Sequence, residues 1–247
     1  MNKRKLLTLA MTLCMVAILA IGGTLAYFTD TEAAKNVMTM GNVDIEQIEQ
    51  ERCPTGGLQP YTQGQILLPM GGATAWAEEE VTVNGDSFKV FASENALDKI
   101  VTVKNNGNSD AYVRTIVALE AGKSEDEAKS MWYNNLAVSD NSDGTQVICE
   151  DNDLFVQIGD TWFIIVVYTY GDAVAAGTES VPSLTGVGLY AETTKEDVAN
   201  LEGDYEVLVV SQAVQASDMG DDAGAALDKA FGDVDATNVA EWFKDVA

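Results

Sequence analysis

Short runs of β-branched and aromatic residues, separated by turn signals, recur along most of the chain after residue 36. This spacing predicts many short strands rather than a few long helices. The longest run, WFIIVVYTY at 162–170, is apolar on both faces, which favours a strand buried on both sides. Two further pairs of runs flank Asn-Gly turns and predict β-hairpins: 81–83 with 88–91, and 100–104 with 111–120.

Within 111–120, alternate residues share a face, as in any strand. One predicted face carries Val113, Thr115, Val117 and Leu119, and the other carries Tyr112, Arg114, Ile116 and Ala118. Similar but shorter patterns predict further strands at 43–46, 145–149, 154–158, 184–192 and 205–216.

Only three stretches have helical patterns. Ser124 precedes Glu127 by three residues, a capping box that predicts the start of a helix over 124–132. Apolar stripes predict two more helices, at 218–231 and 237–246. Together the patterns predict an all-β fold: an antiparallel β-sandwich of jelly-roll type with a few peripheral helices. Residues 50–75, rich in Gly, Pro and Gln, are predicted to form one long loop.

The first 26 residues have the pattern of an export signal. Three basic residues at 3–5 precede an apolar run at 6–21, and the small-residue site Thr24-Leu25-Ala26 follows. We therefore predict cleavage between Ala26 and Tyr27, which leaves a single secreted domain over 27–247. The alternative is an uncleaved membrane anchor, although 16 residues are short of the roughly 20 that span a bilayer.

The chain is strongly acidic and contains no His. Its formal net charge is −25, and removal of residues 1–26 would leave 11 basic and 39 acidic residues, a charge of −28. Such a charge argues against nucleic acid and anionic membrane surfaces as partners, so membrane contact is expected only through the signal before cleavage. The absence of His excludes Ser-His-Asp and Cys-His catalysis and His-liganded zinc. No catalytic or metal-binding residues are predicted.

The junction between the signal and the mature chain carries a more specific pattern. It reads GGTLAYFTDTEA at 22–33, followed by NVMTMGNVDI at 36–45. This junction resembles that of the TasA/camelysin family of secreted proteins from Gram-positive bacteria. Three other stretches are similar to parts of that family, namely 101–114, 173–184 and 205–231.

The resemblance implies a structural protein of an extracellular biofilm matrix, processed by a dedicated signal peptidase. In that family, subunits self-associate into fibres when the N-terminal strand of one enters a sheet of the next. Here the implied donor strand is 28–48, with Phe28, Val37, Val43 and Ile45 as the side chains that fill a neighbour's pockets. The alternative is that this segment pairs within its own sandwich. The proteolytic activity of some relatives is not carried over, because the chain has no His-Glu-x-x-His motif.

The cysteines, the acidic stretches and the long loops each have more than one interpretation. Cys53 and Cys149 remain after cleavage and form either a disulfide or two separate thiols. The acidic stretches 140–144 and 150–153 could hold calcium, but neither fits the EF-hand loop, and solvated turns are the simpler interpretation. A different function, a monomeric binding module for glycans or a host protein, would use loops 50–75 and 132–153.

Overall fold

A computed structural model describes residues 37–62, 64–71, 77–83, 86–199, 201, 204–217, 219–244 and 246. The predicted signal peptide, the cleavage site between Ala26 and Tyr27, and the donor residue Phe28 lie outside the described residues.

The described chain forms thirteen strands and three helices. The strands are β1 (Val37–Met40), β2 (Ile45–Arg52), β3 (Leu58–Pro60), β4 (Glu78–Val83), β5 (Asp86–Phe91), β6 (Leu97–Asp98), β7 (Ile100–Asn105), β8 (Ala111–Gly122), β9 (Leu136–Asp140), β10 (Val147–Ile158), β11 (Thr161–Tyr170), β12 (Leu184–Leu189) and β13 (Val207–Gln215). The helices are α1 (Glu125–Asn134), α2 (Ala223–Phe231) and α3 (Ala236–Trp242). The prediction of an all-β fold with a few helices is confirmed at this level.

The largest sheet has five strands in the order β1-β13-β8-β11-β10. Every pair in it is antiparallel except β1 with β13, which is parallel. Three smaller sheets contain the remaining described strands, in the orders β3-β2-β7, β6-β12-β9 and β4-β5.

The five-stranded sheet is covered on both faces. Its inner face packs against the two three-stranded sheets, and the shared core includes Val117, Val209, Val101 and Val187. Its outer face is covered by α2 and α3, which bury the alternate residues of the same strands. This second layer explains why β11 is apolar on both faces and why all of β8 is buried.

The predicted hairpin between 100–104 and 111–120 is wrong. Strand β7 pairs with β2, whereas β8 pairs with β11 and β13 in the other sheet. The turn between them is bound to a distant segment, because the amides of Asn106 and Gly107 both donate to the carbonyl oxygen of Asp44. The Asn-Gly signal therefore marks a crossing between sheets rather than a hairpin.

Other boundaries also differ from the predictions. The strands predicted at 145–149 and 154–158 are one strand, β10, whose register shifts between Glu150 and Leu154, where Asp153 has a φ of 45°. The predicted loop 50–75 contains the end of β2 and all of β3.

Two local predictions are confirmed. Strands β4 and β5 pair antiparallel, as the first Asn-Gly signal indicated. Helix α1 begins after Ser124, whose hydroxyl accepts a hydrogen bond from the amide of Glu127 at 3.3 Å. The carboxylate of Glu127 accepts from the amide of Lys123 instead of returning to Ser124, so the capping box closes one residue earlier.

Candidate functional site: the outer edge of strand β13

Within the described residues, strand β1 lies on the outer edge of β13 and pairs with less than half of it. The pairing runs from Val37 opposite Ser211 to Met40 opposite Val214, which is four positions beside a strand of nine residues. A parallel pair is slightly less stable per residue than an antiparallel one. Among the described residues, the pairing of β1 is the shortest in its sheet.

Each face of β1 contacts a different layer of the molecule. Val37 packs against the inner core. Met38 packs against the outer cluster that contains residues of α3, and Met40 against the cluster that contains residues of α2. All four residues of β1 are only half-buried, so this strand contributes less to the core than its neighbours do.

Polar groups from other segments contact β13 and the residues just before it. The side-chain amide of Gln47 donates to the carbonyl of Val209 at 3.3 Å, and its oxygen accepts from the hydroxyl of Ser211 at 2.7 Å. Farther along, the amide of Tyr205 donates to the carbonyl of Gln65 at 2.8 Å. An edge strand left bare invites pairing with another chain, and the Gln47 side chain occupies one position on this edge.

Gly41 joins β1 to the remainder of the chain. Its φ of 90° is in the region that favours glycine, and a Cβ there would lie 3.3 Å from the Cβ of Gln215. The next residue, Asn42, donates its amide to the side-chain oxygen of Gln215 at 3.4 Å. The chain thus leaves the β13 edge at a glycine that other residues replace poorly.

The predicted donor strand 28–48 is divided at this glycine. Val43 and Ile45 are buried in the protein's own core, with 5% and 6% of their surface exposed. Ile45 is also the first residue of β2, which pairs with β7 over six residues. In this structure the two residues pack within their own sandwich, which is the alternative to donation for this part of the segment.

Buried charge anchors β2. The Lys99 ammonium group, 1% exposed, forms an ion pair with Glu49 and lies 3.7 Å from the centre of the Tyr61 ring. Burial lowers the pKa of Lys99, and burial together with the nearby carboxylates of Glu51 and Glu49 raises the pKa of Tyr61 to about 12.

A second anchor lies at the end of β2. Arg52 holds Asp98 with two hydrogen bonds, from Nε at 2.7 Å and from Nη2 at 3.0 Å. This bidentate geometry is the strongest that an arginine and a carboxylate form. No comparable ion pair is present on β1 among the described residues.

An apolar groove lies beside Tyr205, at the end of the β13 edge. It has a volume of about 440 Å³ and is lined mainly by apolar side chains, including Val198 and Leu201. Ile66 and Leu68, which form one wall, are 61% and 48% exposed. The Tyr205 hydroxyl is buried without a hydrogen-bond partner in the part of the chain that the structure describes, and burial raises its pKa.

No disulfide joins Cys53 and Cys149 in this structure. Cys53 follows β2, and its sulfur lies 3.0 Å from the hydroxyl of Thr55. Hydrogen bonds from Thr55 lower the pKa of the Cys53 thiol. Cys149 belongs to β10, in a different sheet, where it packs against the inner core.

The acidic stretch 140–144 forms a turn at the end of β9, whereas 150–153 lies within β10, where its register shifts, so the turn expected there is wrong. One Asp143 oxygen accepts from the amides of Thr145 and Gln146, at 2.8 and 2.6 Å, and these bonds lower its pKa. One Asp140 oxygen accepts from the amide of Ser142. Among the described residues, no group of three or more Cys, Asp or Glu side chains is arranged to hold a metal ion.

The roles of three polar residues around β13 were not predicted from the sequence: Gln47 on β2, Arg114 on β8 and Gln212 on β13 itself. Arg114 and Gln212 are almost fully buried, and Arg114 Nε donates to the Gln212 side-chain oxygen at 2.6 Å. The signal in the sequence is a long polar side chain within an otherwise apolar strand. Such a residue needs a buried partner, but the sequence does not say which one.

Comparisons with known proteins identify no relative of this chain. No protein-family model, curated protein or solved structure matches the chain. The resemblance of the junction to the TasA/camelysin family therefore stays a prediction. Within the described residues, no helix is both long and apolar enough to cross a membrane.

Proposed function

We propose that this chain is a secreted structural subunit of an extracellular matrix or surface fibre, and that subunits join by exchanging β1. In the monomer, β1 lies on its own β13. In the fibre, β1 of one copy would lie on β13 of the next copy. The observation that carries the proposal is the short, half-buried, parallel β1–β13 pair, connected to the fold through Gly41.

The exchange would be nearly balanced in free energy. The contacts that β1 loses in its own subunit are contacts that it regains in the neighbour, as in domain swapping. Because each subunit gives one strand and receives one, the contact is head-to-tail, and such contacts build open filaments when the rotation does not close. The β-augmentation supplies backbone hydrogen bonds, and the side chains of Val37, Met38 and Met40 supply the fit.

The proposal also uses chain outside the described residues. If the register of β1 continued upstream in the neighbour, residues 33–36 would lie opposite 207–210. They would replace the Gln47 contacts on that part of the edge. A donated strand could then lie along residues 207–214 of β13.

The remaining elements of the proposal come from the sequence. Cleavage between Ala26 and Tyr27 by a dedicated signal peptidase would free the segment before β1. The resemblance of the junction supports membership of the TasA/camelysin family. The formal charge of −28 would keep unassembled subunits apart until salt or divalent cations screen it. We further propose that the sandwich has the jelly-roll arrangement and that the protein is not an enzyme.

Electron microscopy of two purified chains tests the proposal. One chain begins at Tyr27 and keeps every residue that the structure describes, and the control begins at Gly41 and lacks β1 but keeps all of β2. We expect filaments from the first chain once added salt or calcium screens its charge, and none from the second under the same conditions. Circular dichroism should show the same strand content in both soluble proteins. Filaments from the chain that begins at Gly41 would reject strand exchange.

A second candidate, a monomeric binding module, is favoured by the apolar groove. Exposed Ile66 and Leu68 belong to the predicted loop 50–75, and they would offer an apolar surface to a ligand. This function predicts a protein that stays monomeric at high concentration and in calcium. Analytical ultracentrifugation of the chain that begins at Tyr27 separates the two candidates.

A further inference from the structure

Arg114 lies at the junction of three elements on the outer face of the five-stranded sheet. Its guanidinium donates to the Gln212 side-chain oxygen on β13, to an Asp228 oxygen on α2 at 2.5 Å, and to the carbonyl of Gly232 at 3.0 Å. It also lies 5.3 Å from the centre of the Trp242 ring on α3. With only 2% of Arg114 exposed, this one side chain joins both C-terminal helices to β13.

Gln212 extends this connection to β1. Because its oxygen accepts from Arg114, its amide nitrogen is turned toward β1, where it lies 3.5 Å from the Met38 sulfur. Gln212 is fully buried, so the orientation of its amide is set by these partners. Arg114 thereby fixes the orientation of the Gln212 amide group, which contacts the Met38 side chain of β1.

The helices add apolar contacts to the same strand. Met38 packs against the cluster that includes Val239 and Phe243, at the end of the helix pair. Met40 packs against the cluster that includes Ala226 and Leu227 of α2. The outer side of β1 therefore packs against clusters that the sheet and the docked helices α2 and α3 form together.

We propose that Arg114 is a positioning residue for strand exchange, and that the docked helices α2 and α3 act as a latch that holds β1 on its own β13. Loosening the latch frees the edge of β13 for the β1 of another copy. This inference rests on the proposed function, because it treats β1 as the exchanged strand. It adds a controlling element that lies more than 180 residues from β1 in sequence.

Hydrogen exchange followed by mass spectrometry tests the latch in the monomer. Asp228→Asn weakens the bond to Arg114 at a half-exposed position, and Arg114→Lys keeps the charge but removes the three-way fork. We expect peptides that contain Val37–Met40 to exchange about tenfold faster in either variant, while β8 and β11 keep their protection. Glu125→Gln is the matched control, since it removes one carboxylate of an exposed ion pair on α1.

Two outcomes would overturn the latch. One is faster exchange in α2 and α3 with unchanged exchange in β1, which would show that the helices do not hold the strand. The other is an equal rise in every strand, which would make Arg114 a general stability residue. If Arg114→Lys does not fold, Asp228→Asn alone tests the latch.

The latch and the proposed function can fail separately. Exchange is measured on the monomer and needs no filament, so a loosened β1 in a protein that never assembles would reject only the fibre. Filaments whose rate of growth is equal in the wild type and Asp228→Asn, together with unchanged β1 exchange, would reject only the latch. We expect Asp228→Asn to shorten the lag before filaments appear.

Discussion

Strands β1 and β2 are separated by only four residues, yet they are held in different ways. Strand β1 is half-buried, four residues long and paired on one side. Strand β2 is paired on both sides and anchored by the ion pairs of Glu49 and Arg52. Gly41 lies at the boundary between them. The difference divides the predicted donor segment into two parts: β1, which lies half-buried on a sheet edge, and the part after Gly41, which is buried in the core.

Truncation of apolar side chains should give the largest difference in the free energy of unfolding between the two strands. Ile45→Ala should lower the free energy of unfolding by about 3 kcal/mol, because it leaves a cavity in the core. Met38→Ala should lower it by only about 1 kcal/mol, because Met38 is half-buried at an edge. Urea denaturation of both variants measures the difference. Equal losses would mean that β1 is as much a part of the core as β2.

The charged anchor of β2 predicts a second large effect. Glu49→Gln removes the carboxylate partner of buried Lys99 and should cost about 2–3 kcal/mol, since an uncompensated buried charge remains. Glu125→Gln, which breaks an exposed pair, should cost less than about 0.5 kcal/mol. Both are measured by thermal and urea unfolding. A Glu49→Gln protein as stable as the wild type would show that the ion pair between Glu49 and Lys99 does not stabilise the fold.

The same anchor predicts a dependence on pH. Burial lowers the pKa of Lys99 in the folded protein, whereas the unfolded chain keeps the ordinary value of 10.5. Between these two values the unfolded chain binds more protons, so the contribution of Lys99 to stability rises with pH. We expect the wild type to gain stability relative to Lys99→Met as the pH is raised toward 10.5. A constant difference between the two proteins would contradict a lowered pKa.

A smaller effect is expected at the boundary between the strands. Gly41→Ala forces a side chain into a backbone conformation with φ of 90° and should cost about 1 kcal/mol. Because the strain lies at the junction, it should appear mainly as faster hydrogen exchange in β1 rather than in β2. Gly144→Ala, at a positive φ in an exposed turn, is the control for the backbone cost alone.

The smallest effect is expected in the apolar groove. Ile66→Ser and Leu68→Ser should each change the free energy of unfolding by less than about 0.5 kcal/mol, because both side chains are exposed. Leu67→Ala, at the buried residue between them, should cost about 2 kcal/mol and is the matched control. Urea denaturation curves of the three variants measure these free energies of unfolding. A large loss in Ile66→Ser would assign the groove to the fold rather than to binding.

Local patterns predicted the parts of this fold that depend on neighbours in sequence. The faces of β8 followed from alternation, and the start of α1 followed from Ser124. The turn after β7 was misread, because its partner Asp44 lies some sixty residues earlier in the chain. A local turn signal states that the chain bends, but not which sheet it enters next.

The candidate site was predicted only in part. The junction pattern pointed to the N-terminal strand, and Val37 does lie at the β13 edge. The parallel register and the contact of Gln212 with Met38 join residues 174 apart, which no local pattern specifies. The burial of Val43 and Ile45 likewise depends on β7, so the division of the predicted donor strand at Gly41 could not be predicted from the sequence.

A reversible covalent lock on β1 tests the central claim most directly. Thr39 and Ala213 are register partners on the two strands, and a Thr39→Cys, Ala213→Cys protein would join them when oxidised. Replacing Cys53 and Cys149 by Ser and Ala removes competing thiols. If β1 must leave its own β13, the oxidised monomer forms no filaments under the electron microscope and the reduced protein forms them. Filaments of equal number from the oxidised and reduced monomers would contradict exchange of β1.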